Sequence, residues 1–205
     1  MADSGEAVAH PGTRERIMRG AVRCVERGGV SGFSLEDVAN EAGVSRTSIY
    51  RYFPEGRAQL VQETATWVIG RFWAGIAESV ACYESLEDRL VHGLVVGAGQ
   101  IRSSTIMANL MDPDLDELVE ALQPSEPLVG GLIREYMTAL IGVERDSGRL
   151  RGGVSVPEAA DYLSRMVLSV MASPAGVDLT NESEARALVR REFLAGIIEV
   201  DSHDA

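Results

Sequence analysis

The sequence predicts an all-α chain: three short N-terminal helices forming a helix-turn-helix bundle, then a larger helical domain, about nine to ten helices in total. Two observations carry the prediction, and a third divides the chain. Apolar residues recur at three- and four-residue spacing over most of the 205 positions, and alternation with period two is almost absent. The repeated helical stretches are introduced by Ser, Asp-Pro or Ser-x-Pro-Glu start signals. Charge divides the chain: residues 1–60 hold eight Arg and eight acids and are neutral, whereas residues 61–205 hold eleven Arg and twenty-three acids and carry the whole net charge of −12.

Taken in order, residues 1–12 read as a flexible tail with no apolar run of the kind a signal peptide needs. A first helix spans 13–27. Ser34 starts a second, with Asp37 three residues on as its capping-box partner, and Gly43 ends it. Ser45 caps a third, Arg46 to Phe53. A long fourth runs from about Arg57 to Ala81, with Ala58, Val61, Ala65, Val68, Phe72 and Ile76 on one face. Further helices are expected over Leu86–Ser103, from Pro113 to about Leu122, from Ser125 to near Ser147, from Ser155 to about Ala172 and from about Glu182 to Val200, with 201–205 as a tail. The domain division expected is 13–57 and 58–200.

Composition removes several chemistries. All nineteen basic residues are Arg, so no P-loop lysine, Schiff-base lysine or kinase lysine exists. His10 and His203 lie in the tails, leaving His92, and no His, Cys and carboxylate cluster has metal-ligand spacing. There is no Gly-x-Ser-x-Gly elbow, and "GAGQIR" at 97–102 fails the dinucleotide pattern. No catalytic residue, cofactor or metal is expected. Cys24 and Cys82 are both expected as buried, reduced thiols. No stretch approaches the roughly 18–20 apolar residues of a membrane helix. Together these features suggest a cytoplasmic protein.

The stretch "EAGVSRTSIYRYF", residues 41–53, is the informative one. On a helix at about 100° per residue, Ile49 and Phe53 share a face, with Val44 beside them. The opposite face holds Thr47 and Arg51, flanked by Ser48 and Tyr50: donors, acceptors and flat rings, and no acid. The preceding "SLEDVANEAG" buries Leu35, Val38, Ala39 and Ala42. Two short helices around a Gly-containing turn form a helix-turn-helix, whose second helix fits a DNA major groove. A helical corner with a polar face is the plainer reading of the same residues.

Residues 33–61, "FSLEDVANEAGVSRTSIYRYFPEGRAQLV", resemble the DNA-binding segment of the tetracycline-repressor (TetR) family, through the "ERGGVSGFS" run-in, the Gly-Val-Ser turn and the Tyr-x-Tyr-Phe ending. The resemblance covers roughly a quarter of the chain. It implies DNA contacts at Ser45, Arg46, Thr47, Ser48, Tyr50, Arg51 and Tyr52, with Tyr50 on a phosphate and Arg51 reading a base. It implies a phosphate-contacting hydroxyl at Ser34. Arg57 stands nearest the family's phosphate-contacting lysine, one residue further along. From spacing alone, Arg16, Arg19, Arg23 and Arg27 form a stripe on the first helix; a solvated face is the commoner reading of such a stripe, and a contact with the DNA backbone, at Arg14 or Arg16, is the alternative.

For the larger domain the resemblance implies effector binding and dimerisation. The last two helices carry apolar stripes wide enough to serve both a core and a two-fold partner, with Leu163, Met166, Val170, Leu188, Phe193 and Ile197 expected at a homodimer interface. A largely apolar pocket for an unknown small molecule is expected among Trp67, Trp73, Met107, Met111, Tyr136 and Met137, with His92 or Arg102 to orient the ligand. The reading is a DNA-binding regulator, expected to be a repressor acting on a palindromic operator in double-stranded DNA. An effector-free architectural protein and an enzyme are the alternatives; acidity disfavours the first and the missing catalytic groups the second.

Overall fold

The computed structural model describes residues 12–105, 126–174 and 176–199. They form two compact units that divide after Thr66. The expected helix from Pro113 to Leu122 lies outside the described residues.

In the first unit, helix α1 (Thr13–Gly28) leads through a 3-10 turn at Val30–Gly32 into α2 (Leu35–Ala42) and α3 (Arg46–Tyr52). Ser34 caps α2 in a full capping box with Asp37, and Ser45 caps α3 by accepting from the Ser48 amide. Between them Gly43 sits at φ +62°, a left-handed conformation that lets its amide return to the end of α2. That turn sets the angle at which α3 leaves. Ile17, Val38, Ile49, Phe53 and Leu60 are fully buried and form the centre of the unit. Gly20 lets α1 and α2 approach closely, since a Cβ there would lie 3.2 Å from that of Ala42.

Helix α4 (Arg57–Ser79) begins in the first unit and continues past the boundary into the second. Val61, Ala65, Phe72 and Ile76 on its expected apolar face are buried; Ala58 is exposed, and its place is taken by Leu60. The second unit adds α5 (Leu86–Ser103), α6 (Glu126–Asp146), α7 (Val156–Ala172) and α8 (Glu182–Leu188). Ser85 caps α5 and Ser155 caps α7, the latter in a capping box with Glu158. Val91, Leu94, Ile141, Leu163 and Phe193 lie at the heart of its core.

The last helix departs from the sequence expectation. It becomes a π-helix over Val189–Leu194, and Ile198 then pairs with Leu150 in an isolated antiparallel bridge. The wider turn keeps Leu188, Val189, Phe193 and Leu194 all on the buried side. The carbonyl of Glu192, within that stretch, accepts from the Tyr162 hydroxyl at 2.5 Å. The cysteines also differ from each other: Cys24 is buried, with its thiol pKa raised by that burial, while Cys82 is exposed just beyond α4.

Candidate nucleic-acid interface

The outward face of α3 is built by its cap and its core residues. Ser45 fixes the first turn, and Ile49 and Phe53 anchor the helix inward. This leaves Arg46, Thr47, Tyr50 and Arg51 exposed and Ser48 and Tyr52 half-buried. The Arg46 guanidinium lies 5.8 Å from the centre of the Tyr50 ring, and hydrogen bonding to Tyr50 raises its pKa further. Arg51 lies 5.0 Å from the Tyr52 ring. Two cations thus stand over two rings on one short helix, and no acid of α3 neutralises them. The two hydroxyls at Ser45 and Ser48 are 3.0 Å apart and share a hydrogen bond. Ser34 is exposed, but its hydroxyl already donates to the Asp37 carboxylate at 2.7 Å. That bond, with one from the Ser34 amide, holds the Asp37 pKa below the usual carboxylate range.

Arg57 is turned inward. Its guanidinium donates to the Val30 and Phe33 carbonyls and lies 4.9 Å over the Phe33 ring. The turn before it sets this direction. Gly56 takes φ +77°, is buried against the Tyr50 ring and accepts from the Leu60 amide, so the chain turns back before α4 begins. Arg14 is likewise engaged: it pairs with Glu63, donates to the Tyr52 carbonyl and lies 4.9 Å over Phe53. The arginine stripe of α1 is mostly paired, with Arg19 on Glu15 and both Arg23 and Arg27 on Glu41. Those two bonds lower the Glu41 pKa, the Arg27 one most. Arg16 is exposed and has no ion-pair partner among the described residues.

The second unit contains a partly open cavity of about 220 Å³. Trp73, Tyr136 and Met137, named from the sequence, line it. Trp67, His92 and Arg102 do not. Trp67 lies under Arg71 at 5.2 Å, His92 stacks on Tyr83 at 4.0 Å, and exposed Arg102 is 4.0 Å from Asp178. Met107 and Met111 fall outside the described residues. Sequence reading missed Gly70, Gly93 and Arg89 on the cavity wall. Glycines inside helical stretches, where they are unfavourable, were the available signal for the first two.

Of the residues expected at a dimer interface, Leu163, Leu188, Phe193 and Ile197 are buried in their own unit's core, which explains their apolar character without a partner. Met166 and Val170 are half-buried beside it. Among the described residues no helix is long and apolar enough to cross a membrane, and no group of three metal-ligating side chains converges.

Comparison with known proteins agrees with this geometry. Residues 17–64 match the family model described as bacterial regulatory proteins, tetR family. A helix-turn-helix-type transcriptional regulator of Mycobacterium bovis is 28% identical over 163 residues, covering 78% of this chain and 79% of the relative. Two solved structures share the fold. The TetR family repressor AlkX from Dietzia sp. has a TM-score of 0.63 at 18% identity, covering 91% of this chain and 97% of its own. A SmeT–triclosan complex has a TM-score of 0.59 at 21% identity, covering 93% and 94%. The matched segment spans the capped α2–turn–α3 unit and most of the core that holds it. Residues 17–64 of this chain thus match the DNA-binding segment of the bacterial tetR-family regulators, and over 78% of its length the chain is similar to a helix-turn-helix-type transcriptional regulator.

Proposed function

We propose that the chain acts as a homodimeric repressor that is released from a palindromic operator by a small, largely apolar molecule held in the second unit. The observation that carries this is the exposed, acid-free face of α3, with Arg46, Thr47, Tyr50 and Arg51 outward. Arg51 can span to a guanine edge, and Thr47, Ser48 and Tyr50 can donate to phosphates or bases. A two-fold pair of such helices requires half-sites separated by about 34–36 Å or a multiple. For the partner-facing surface, Tyr162, Met166 and Val170 on α7 are favoured over the buried residues, because they follow four-residue spacing and retain exposed area.

In this reading Arg57 and Arg14 position the reading helix rather than touch DNA. Release follows from the path of α4. Gly70, Trp73 and Ile76 of that helix line the cavity, and its first turns carry Arg57 and Glu63, which hold the Val30–Phe33 turn and Arg14. A ligand that favours one position of α4 over another would bias α3 through these contacts, by no more than its differential affinity for the two states. The SmeT complex, whose fold is shared, contains triclosan, a precedent for a small molecule on this scaffold.

The test is selection of bound sequences from random duplex DNA with the purified protein. An enriched inverted repeat is expected. Enrichment of single, unpaired half-sites would remove the dimeric reading, and no enrichment at moderate salt would remove sequence recognition by α3.

A further inference from the structure

Tyr136 lines the cavity of the second unit, yet its hydroxyl oxygen is closed off from solvent and has no hydrogen-bond partner among the described residues. Buried hydroxyls are nearly always bonded, and one left without a partner destabilises the protein that contains it. Resting on the effector reading above, we propose that the cavity takes a small apolar molecule bearing a single neutral hydrogen-bond acceptor, such as a ketone, aldehyde or ester, and that Tyr136 Oη donates to that acceptor.

Three features select this class. The body of the ligand meets Ile76, Leu90, Leu94, Met137 and Met171, which offer no strong hydrogen-bonding group, and Trp73, whose one polar atom is its indole N–H. The cavity of about 220 Å³ exceeds the roughly 150 Å³ that holds a benzene molecule, and so suits on the order of ten non-hydrogen atoms. The third feature is charge. Arg89 is the cation on the wall, and its guanidinium donates to the carbonyls of Tyr83 at 2.6 Å and Ala81 at 3.5 Å. A carboxylate would therefore enter an apolar space whose arginine is already engaged, which is far costlier than burying a neutral carbonyl. Since the hydroxyl oxygen is closed off from solvent, the Tyr136 side chain must shift for the bond to form. The protein is thereby set to discriminate an acceptor from a hydrocarbon of the same shape.

The test compares acetophenone with α-methylstyrene, which has the same shape with =CH2 in place of the carbonyl oxygen, by calorimetric titration of the full chain and of Tyr136→Phe. Benzoate serves as the charged arm. Acetophenone is expected to bind the unsubstituted chain about three- to tenfold more tightly than α-methylstyrene. Tyr136→Phe is expected to erase that ratio while leaving α-methylstyrene affinity unchanged. The ligand-free variant should also melt higher, because an unpartnered hydroxyl has been removed. Equal affinities for the two probes, tighter binding of benzoate, or a lower melting point for ligand-free Tyr136→Phe would overturn the proposal while leaving an apolar effector in place. If neither neutral probe binds, and Gly70→Leu, which fills the cavity wall, changes nothing in DNA release, both this inference and the effector reading fall.

Discussion

Replacing Arg57 by Ala separates two roles that the sequence alone leaves confounded. A phosphate contact contributes to the salt dependence of DNA binding: each neutralised phosphate adds about 0.9 to the slope of log K against log salt, so one contact per subunit is worth about 1.8 in a dimer. A positioning contact contributes to folding instead. Arg57 donates to two carbonyls and covers the Phe33 ring at 4.9 Å while half-buried. A hydrogen bond from a charged donor is worth about 1.5–3 kcal/mol, but the freed carbonyls can rehydrate at this depth. A loss of about 2 kcal/mol is therefore expected, or roughly 4–8 °C in the melting point of a chain of this length. The assay is fluorescence anisotropy on the selected operator between 50 and 300 mM salt (roughly the range over which phosphate contacts are resolved), well below the variant's melting point. The expected result is an unchanged slope with a lowered melting temperature. A slope reduced by about 1.8 with an unchanged melting temperature would refute the reasoning. Arg57→Lys should restore little, because a point donor cannot span two carbonyls and a ring.

Three further outcomes are expected. Arg51→Ala should relax base preference at one operator position by about 1–3 kcal/mol, whereas Tyr50→Phe should weaken all sequences alike; a mutant-by-mismatch binding matrix distinguishes them, and a uniform loss for both would remove the assigned roles. Gly20→Val should destabilise by about 1–3 kcal/mol, since the new Cβ meets Ala42 Cβ at 3.2 Å and the Val38 carbonyl at 3.3 Å; an unchanged urea midpoint would mean that α1 and α2 can move apart freely. The Asp37 and Glu41 pKa values are lowered in the folded chain, so the stability they contribute is full above the unfolded carboxylate range and is lost as pH falls through their folded values, below about pH 4. Glu41→Gln should flatten that acid limb in urea titrations, and an identical limb would show that the Arg23 and Arg27 pairs contribute nothing.

Local signals were legible where one residue type has one physical use. Ser34 with Asp37, Ser45, and Ser155 with Glu158 all cap the helices they were expected to start. Ile49 and Phe53 are buried, and Thr47 and Arg51 are exposed, as helical periodicity required. What periodicity could not convey was which partner each long side chain would find. Arg57 and Arg14 are cations on a chain that binds DNA, but where they point was decided by the Gly56 turn and by Glu63, which no local pattern joins to them. Likewise Leu163 and Phe193 carry the same apolar signal whether they face a core or a partner, and here they face the core. His92 looked poised among apolar neighbours, yet Tyr83 on the preceding turn stacks against it outside the cavity. The π-helix over Val189–Leu194 leaves no mark in a 3.6-residue apolar period, because one widened turn shifts the pattern by a single residue.

The fork in which Glu41 holds both Arg23 and Arg27 has a consequence for how the protein searches a chromosome. With those two cations and Arg19 paired to carboxylates, Arg16, Arg46 and Arg51 are the described arginines of the first unit that hold neither a carboxylate nor a backbone carbonyl. Random duplex is held by counterion release, so a head this sparing in open cations, followed by a strongly acidic remainder, should linger little on the roughly 10⁶ wrong sites of a genome. Fewer copies would then be trapped in transit. A small number of molecules per cell could keep an operator occupied, and a modest drop in specific affinity would empty it.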